Sequence, residues 1–586
     1  MHKKTLLLRC GILIPNVLTY NLTQAKLPVN AQEPALPVAQ NPNPNQDRFP
    51  QDIPIPQPIA PNTDDKPVFT PQQVVIPEVV VPSTRQSSVN ILVKKVEVAG
   101  STIFKLKDIQ PITAPVTGRS VTLQELQKVV DSITELYVQR GYITSRAVLE
   151  EQKITDGVVK IRVIEGSVEK IEVDGAERIN PEYITSRIAL GAGTPLNKDK
   201  LEDQLILLRN DPLFTKVEAS IKPGSKVGQS ILTVRVTEAK AFSATAMIDN
   251  YSPPSVGSER FGVGASYRNL TGLGDELSAA YYRSFSGGST LYDFNYKVPV
   301  NAMNGTVQLR VAPSRSKITD SKFAAFGIRS NSELYELSYR QPLIRSAKEE
   351  FALSVGFALQ NGQTFLFQNT PFPFGIGPDA DGNSRTRVVK FGQDYVKRDT
   401  EGAWALRSQF NFGLGIFDAT VNSSPIPDGQ FFSWQGQVQR VQRLGNDNLL
   451  IAQADVQLTP DSLLPSQQFV IGGGQSLRGY RQNARSGDNG IRFSLEDRIA
   501  LVKNESGQPT LQLAPFVDLG AIWNNSSNPN KLPKQNFLAG AGLGVIWQPM
   551  TNLQVRADYG VPLVRLDDKG NNAQDQGLYF NVIYNY

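Results

Sequence analysis

The C-terminal 350 or so residues alternate apolar and polar side chains in about sixteen short segments. The pattern is clearest over residues 553–561, where the odd positions are apolar, and over residues 578–586, which end on an aromatic residue. A period of two is that of a β-strand. Since no helical period interrupts the series, the pattern predicts one large antiparallel sheet. Closure into a transmembrane barrel would satisfy every backbone N–H and C=O group within a bilayer.

Loop lengths support this barrel. The predicted strands lie near residues 242–252, 260–270, 275–285, 289–300, 305–315, 333–344, 349–360, 385–396, 402–417, 430–443, 448–459, 490–502, 510–523, 537–548, 553–564 and 577–586. Connections after even-numbered strands are short, as at 271–274, whereas the long ones, such as 460–489, follow odd-numbered strands. Outer-membrane barrels have short periplasmic turns and long outer loops. The pattern therefore predicts an outer-membrane barrel (239–586) with the N-terminal region in the periplasm.

Residues 89–238 contain an internal repeat. Residues 93–100 (VKKVEVAG) match residues 168–175 (VEKIEVDG), and each copy continues with two helical stretches and two strands. The helices Leu123 to Val138 and Lys198 to Leu208 are predicted, with strand pairs at 142–149 and 158–164 and at 217–221 and 231–236. We therefore expect two β-α-α-β-β units, at 89–165 and 166–238. A three-stranded sheet leaves an open edge, which can bind an extended peptide by strand addition.

The N-terminal region has two parts. Residues 1–31 resemble a secretion signal, with basic residues His2 to Lys4, an apolar stretch and small residues before Gln32. Residues 32–88 contain thirteen prolines between Pro34 and Pro82. Because proline fixes φ and lacks an N–H donor, this segment is predicted to be an extended spacer without helix or sheet. Its short apolar stretch Val79 to Val81 is assigned to the same spacer.

Composition excludes several classes of function. The only histidine is His2 and the only cysteine is Cys10, so a mature chain without residues 1–31 has neither. Histidine-dependent catalysis and zinc or haem sites then lose their usual residues, and we expect no enzyme, metal or cofactor. A net charge of +5 on 586 residues indicates no nucleic-acid partner. No phosphate-binding Gly-rich loop is present, which indicates no nucleotide.

The longest connection contains the candidate site. It carries Gly472 to Tyr480 with the sequence GGGQSLRGY. If this loop folds into the pore, the guanidinium of Arg478 needs a carboxylate partner. The alternating pattern predicts that both Asp518 and Glu496 face the lumen. It does not indicate which of the two is the partner of Arg478. Asp497 falls on the lipid face, so either it lies near a membrane interface or the strand register slips at this point.

Three segments carry a family resemblance. Leu477-Arg478-Gly479-Tyr480 resembles the V-R-G-F/Y loop motif of two-partner secretion transporters, the haemolysin-activator and filamentous-haemagglutinin class. The segment with Phe516, Asp518 and Gly520 resembles their F-x-D-x-G strand motif, and residues 141–169 resemble their first POTRA domain. The resemblance implies a mostly β fold, with a sixteen-stranded transmembrane barrel after two POTRA domains. It also implies export of a large exoprotein without ATP. The exoprotein would cross the membrane unfolded and fold into a β-helix outside.

The resemblance assigns roles within the candidate site. Arg478 is the cation at the loop tip and Asp518 its partner, which favours Asp518 over Glu496 and leaves Glu496 as a secondary lumen carboxylate. Members of this class often begin with a helix that plugs the pore. The proline-rich segment 32–88 cannot form that helix, so none is assigned.

Two other functions fit part of the pattern. A barrel-assembly insertase of the same superfamily shares the motifs but usually carries more POTRA copies. A passive porin explains the barrel but not the periplasmic repeat. The expected partners are the secreted exoprotein and outer-membrane lipid; the sequence does not identify the exoprotein.

Overall fold

A computed structural model of the protein describes residues 69–70, 90–154 and 156–586. The signal segment 1–31, the Val79 to Val81 stretch and any plug helix lie outside these residues. The helices are α1 Leu106–Thr113, α2 Leu123–Gln139, α3 Pro181–Ala189 and α4 Lys198–Arg209. The strands are β1 Phe69–Thr70, β2 Ile91–Val93, β3 Lys95–Ala99, β4 Arg119–Val121, β5 Arg146–Leu149, β6 Val158–Ile164, β7 Ser167–Asp174, β8 Phe214–Pro223, β9 Gln229–Glu238, β10 Phe242–Asp249, β11 Arg260–Arg268, β12 Glu276–Ser284, β13 Ser289–Pro299, β14 Thr306–Lys317, β15 Arg329–Arg345, β16 Glu349–Leu366, β17 Thr370–Pro371, β18 Asn383–Arg398, β19 Gly402–Gly413, β20 Phe432–Leu444, β21 Asn448–Leu458, β22 Phe469–Ile471, β23 Arg485–Gly487, β24 Asn489–Lys503, β25 Pro509–Trp523, β26 Phe537–Met550, β27 Leu553–Pro562 and β28 Leu578–Asn585.

The first N-terminal unit is a sheet with strand order β3-β6-β5 and helices on one face. Helix α2 buries Leu126, Val130, Ile133 and Tyr137, spaced as one face of a helix, and these pack on the sheet. The helix begins after Thr122, whose hydroxyl and Glu125 form a reciprocal capping box. Strand β6 has its predicted bounds. Strand β5 is shorter than predicted because the chain turns tightly between α2 and the strand.

The second unit has strand order β1-β8-β9-β7. Its outermost strand comes from the linker, since Phe69 and Thr70 pair in parallel with Ala219 and Ser220 of β8. The prediction that no sheet runs through residues 32–88 is wrong at these two positions. Both residues keep a backbone N–H between Pro67 and Pro71, so the prolines limit the strand in length without preventing it.

The two units share one stabilising contact, between a glutamate at the end of the last strand and backbone N–H groups after the first strand. In the first, Glu165 follows the last strand and accepts the backbone N–H groups of Thr102 and Ile103 at 2.7 and 3.3 Å. In the second, Glu238 ends the last strand and accepts the N–H groups of residues 177, 178 and 179 at 2.8–3.0 Å. The internal repeat therefore preserves a carboxylate that fixes the turn after the first strand.

A glycine makes this closure possible in each unit. Gly100 and Gly175 both have positive φ, and a Cβ at either would overlap a carbonyl oxygen of the last strand, that of Val163 or Val236. This explains why both repeat copies end in glycine at residues 100 and 175.

The remaining long strands, from β10 to β28, form a closed antiparallel barrel of sixteen strands, which confirms the predicted fold class. Strand β17 is a short addition to β16, and β22 pairs with β23 inside a loop. The seam joins β10 to β28, from Thr245 opposite Asn585 to Asp249 opposite Asn581. Strands β15 and β16 extend several residues beyond their predicted outer ends. Among the described helices, none is long and apolar enough to cross a membrane.

Alternation predicted the two faces of the barrel correctly in the region of the site. On β25, Val517 and Leu519 are exposed on the outer face, whereas Phe516 and Asp518 are buried inside. Asp497 lies on the outer face beside the short turn 445–447, where the amide of Asn448 donates to it at 3.2 Å. It therefore sits near the periplasmic interface, as expected.

The second unit contacts the periplasmic turns of the barrel. The N–H of Asn180, the residue before α3, donates to the carbonyl of Gly272 at 2.9 Å. Arg187 stacks on the ring of Tyr183 at 3.4 Å and donates to the side chain of Asn304 at 3.2 Å. Burial lowers the pKa of Arg187 and raises that of Tyr183. Helix α3 and its N-cap residue therefore contact two turns of the barrel, 269–275 and 301–305.

Candidate functional site

The long loop between β21 and β24, residues 459–488, folds into the barrel lumen. Strands β22 and β23 pair along its neck. Ile471 at the end of the neck and Leu477 beyond it are fully buried and pack on Ile522 and Leu538 of the barrel. Apolar burial therefore holds the loop against the wall formed by β24 to β27.

Arg478 lies at the tip of this loop and is 5% exposed. Its Nε and Nη2 donate to the two oxygens of Asp518 at 2.7 and 2.9 Å, and its backbone N–H donates to the same carboxylate at 3.0 Å. The guanidinium also stacks on the ring of Phe516 at 3.4 Å. Bidentate pairing and stacking are geometries that arginine makes and lysine does not. The two sequence motifs therefore meet at this point.

Glu496 is a second direct partner of Arg478, so the preference for Asp518 alone was too narrow. Its Oε2 accepts from Nη1 of Arg478 at 2.6 Å and from Nη2 of Arg556 at 2.6 Å, while Oε1 accepts from Arg498 at 2.8 Å. Arg556 also donates to Asp558 at 2.8 Å. A guanidinium has donors on three sides and engages two carboxylates at once. The network balances three cations and three anions: Arg478, Arg498, Arg556, Glu496, Asp518 and Asp558.

Sequence analysis missed Arg556 and Asp558. Both lie on the polar face of β27, the segment in which alternation is clearest, so the inward direction of their side chains was readable. What the sequence did not show is that β27 lies beside the loop tip. Asp558 is 2% exposed and lies 3.8 Å from Nη1 of Arg478.

Glycines on the wall let the loop backbone approach closely. A Cβ at Gly540 would overlap the carbonyl oxygen of Arg478, and one at Gly560 would lie 2.6 Å from the nitrogen of Gly479. Gly479 has a φ of +101°, a conformation that favours glycine. Gly520 lies under Leu477, where a Cβ would be 2.9 Å from its Cδ1. The predicted motif glycines 479 and 520 thus serve contact between loop and wall.

Two tyrosines fix the loop beyond Arg478. The Tyr480 hydroxyl donates to the carbonyl of Ala539 at 2.7 Å and accepts from the N–H of Val564 at 3.1 Å. The Tyr579 hydroxyl donates to the carbonyl of Tyr480 at 2.6 Å and accepts from the N–H of Gly479 at 2.9 Å. All four motif residues of the loop, 477–480, therefore contact the wall.

Further ion pairs follow the loop toward its neck. Arg481 pairs with Asp575 at 2.9 Å and Arg485 with Asp568 at 2.9 Å, both acids lying in the connection between β27 and β28. Across residues 69–70, 90–154 and 156–586, no group of three or more His, Cys, Asp and Glu side chains is arranged to hold a metal ion. The chemistry of the site is charge compensation, which can hold or release a loop.

The comparisons with known proteins agree with this geometry. Residues 228–546 match the model of a family described as haemolysin secretion/activation protein ShlB/FhaC/HecB. Residues 91–166 match the ShlB-type POTRA domain, and residues 167–239 match a POTRA model described as surface antigen variable number repeat.

Individual relatives cover most of the chain. The outer membrane transporter CdiB of Escherichia coli is 26% identical over 411 residues, which are 68% of this chain and 67% of CdiB. The hemolysin transporter protein ShlB of Serratia marcescens is 28% identical over 477 residues, 78% of this chain and 80% of ShlB. The solved structure of Escherichia coli CdiB superposes with a TM-score of 0.67 at 23% identity, covering 88% of this chain and 94% of CdiB.

The family match extends over more than half of the chain. It agrees with the sixteen-stranded barrel, with the two periplasmic POTRA domains and with the loop whose arginine pairs with a strand aspartate. The chain belongs to the ShlB/FhaC/HecB family of haemolysin secretion/activation proteins and is an outer-membrane transporter of two-partner secretion.

Proposed function

We propose that this transporter captures the N-terminal domain of a large β-helical exoprotein on its POTRA domains and passes the chain unfolded through the barrel. Folding of the exoprotein outside would make transport downhill, so neither ATP nor any enzymatic step is required. The observation that carries the proposal is a pore whose lumen holds a loop fixed by side-chain ion pairs, in a chain that also has two POTRA sheets with open edges.

The POTRA sheets are suited to strand addition. Within the described residues, β3 in the first unit and β7 in the second each pair on one side alone. The edge of β8 already carries two residues of the linker as an added parallel strand. An exoprotein segment would pair with an open edge in the same manner.

The lumen has one occupied wall and one open wall. Opposite the loop, strands β10 to β14 border a cavity of about 520 Å³. Its lining is mostly small or polar, including Ser243, Gly262, Gly264, Ser278 and Ala280. An extended polypeptide would pass along this wall mainly against small side chains, with Tyr282 and Arg310 as the larger ones. The loop would have to shift for the pore to widen, and we propose that the Arg478 network holds the loop in place at rest.

Cysteine cross-linking tests the edge. Glu97 lies on edge strand β3, and Lys160 lies directly opposite it on central strand β6, on the same face of the sheet. With Cys10 replaced by serine, a single cysteine at Glu97→Cys should form a disulfide with a cysteine in the exoprotein's N-terminal domain. Lys160→Cys is the matched control, one strand further from the added segment. Equal cross-linking at both positions would contradict strand addition at β3.

Deletion of the gene tests the transport itself. Loss of one large protein from the medium, with other outer-membrane barrels intact, is expected and would identify the exoprotein. General loss of outer-membrane barrels would instead favour an assembly insertase.

A further inference from the structure

The arginines on the two faces of the barrel differ in whether they have carboxylate partners. Inside the lumen, Arg310 pairs with Asp293 at 2.7 Å and Arg407 with Asp394 at 2.8 Å. The outer face carries a group of cations near the extracellular end that we call the rim patch: Arg283, Arg315, Lys317 and Arg329. Among the described residues, none of these four has a carboxylate within 4.0 Å, in contrast to the lumen arginines.

The rim patch faces outward. On β12 the neighbouring positions Ser278, Ala280 and Tyr282 line the lumen cavity, so Arg283 points to the opposite side. On β14 the cavity contains Gln308 and Arg310, which places Arg315 and Lys317 outside. Side chains 283, 315 and 317 are exposed. Arg329 is half-buried: it stacks on the ring of Phe365 at 4.8 Å, and its Nη2 donates to the side chain of Asn369.

The four cations are close together. Arg315 and Lys317 project from the same side of β14, about 7 Å apart by strand geometry. Lys317 lies directly opposite Arg329 on β15. Thr290 of β13 pairs with Arg283 on one side and with Arg315 on the other, so the two arginines are one strand apart. Like charges directly opposite each other destabilise a sheet. This arrangement is therefore costly unless an anion lies over it.

The patch sits at the membrane boundary. Phe261 lies level with Arg283, and Tyr281, Tyr292 and Phe294 continue from it toward the periplasm. The four rings form a chain of contacts with centroids 5.0–6.4 Å apart. Tyr292 and Phe294 are 42% and 46% exposed on the outer face. Aromatic belts on barrels mark the interface between the hydrocarbon and the headgroups. The cations thus lie at headgroup level on the extracellular side.

We propose that the rim patch is a binding site for an acidic glycolipid of the outer leaflet, whose headgroup phosphates bridge Arg315, Lys317 and Arg329 while Arg283 contacts a second anionic group. The acyl chains would lie along the aromatic belt below. Glu333, the one exposed acid of strand β15, is two residues further toward the periplasm than Asn331, the residue opposite Arg315. It would set the lower limit of the anion site. Lipid binding at the rim patch does not depend on the secretion mechanism.

The test uses the full chain in nonionic detergent with purified diphosphorylated lipid A as the probe. The variant is Arg315→Gln with Lys317→Gln. The control, Lys531→Gln with Lys534→Gln, removes the same charge from the exposed extracellular connection between β25 and β26. We expect the dissociation constant for the lipid, measured by native mass spectrometry, to rise at least tenfold in the variant and to change less than twofold in the control.

Three results would overturn the proposal. Equal weakening in variant and control would show a general charge effect. Equal affinity for the dephosphorylated lipid would show that apolar contacts alone bind it, and displacement by equimolar inorganic phosphate would assign the patch to small anions. If the glutamine variant fails to fold, the exchange Arg315→Lys with Lys317→Arg keeps both charges, and it should retain binding within about threefold.

Discussion

Charged side chains are compensated in two ways in this molecule, and the difference separates a fixed turn from a loop that we propose can be released. In the POTRA units, Glu165 and Glu238 accept backbone N–H groups of a nearby turn. In the lumen, Arg478 joins a loop to side chains of separate strands. A backbone donor is always in place, whereas a side-chain partner can be exchanged. The first arrangement therefore fixes a fold, and the second is suited to hold a loop reversibly.

The largest expected effect comes from removing the lumen cation. Arg478→Ala would leave Asp518 and Glu496 short of a counter-charge, and breaking such a buried pair costs about 3–5 kcal/mol. We expect the barrel to insert normally but secretion to fall strongly, measured as exoprotein in the medium against heat-modifiable barrel in the membrane. Arg481→Ala, which removes a more exposed arginine of the same loop, is the control and should have a smaller effect. Normal secretion by Arg478→Ala would refute the role of the network.

A smaller effect is expected from the wall beneath the loop. Gly540→Ala would place a methyl group into the carbonyl of Arg478, and overpacking of this kind costs about 1–3 kcal/mol. The loop should leave its seat more often, which would appear as more frequent channel openings in planar bilayers. Gly264→Ala on the open wall is matched in chemistry, but its nearest neighbours would be 3.7 Å away. Identical conductance traces for both variants would show that the loop does not depend on this contact.

The smallest effect is expected in the first POTRA unit and depends on pH. Burial raises the pKa of Glu165, but hydrogen bonds from Thr102, Tyr137 and Ile103 outweigh it, so the net pKa is lowered. A lowered carboxyl pKa stabilises the fold above the unfolded value of about 4.3, and this stability is lost as pH falls through the folded pKa.

Glu165→Gln should therefore lower the urea midpoint of the N-terminal units at pH 7 and flatten its decline toward acid, followed by circular dichroism of the full chain. Glu172→Gln, on the exposed face of β7, is the control. A wild-type midpoint that does not decline below pH 4.3 would contradict the assignment.

Local patterns predicted the fold well because alternation is itself the constraint that a barrel imposes. They placed Asp518 and Glu496 inside and Asp497 near an interface. They could not rank Asp518 against Glu496, because both reach Arg478 from different strands. They also missed Arg556, whose proximity depends on how the loop lies across four strands. The β1 strand was missed because proline content describes the segment as a whole and not Phe69 and Thr70, which retain their backbone N–H groups.

The paired neck of the loop affects how the loop can move. Phe469–Ile471 and Arg485–Gly487 remain joined by a backbone ladder that does not involve Arg478. If the loop tip detaches from the barrel wall, the loop should therefore rotate as a unit about its paired neck and keep its fold. A rotation of a few degrees at the base would be amplified with distance along the arm. Amide hydrogen exchange should accordingly stay slow in the neck while the pore is open.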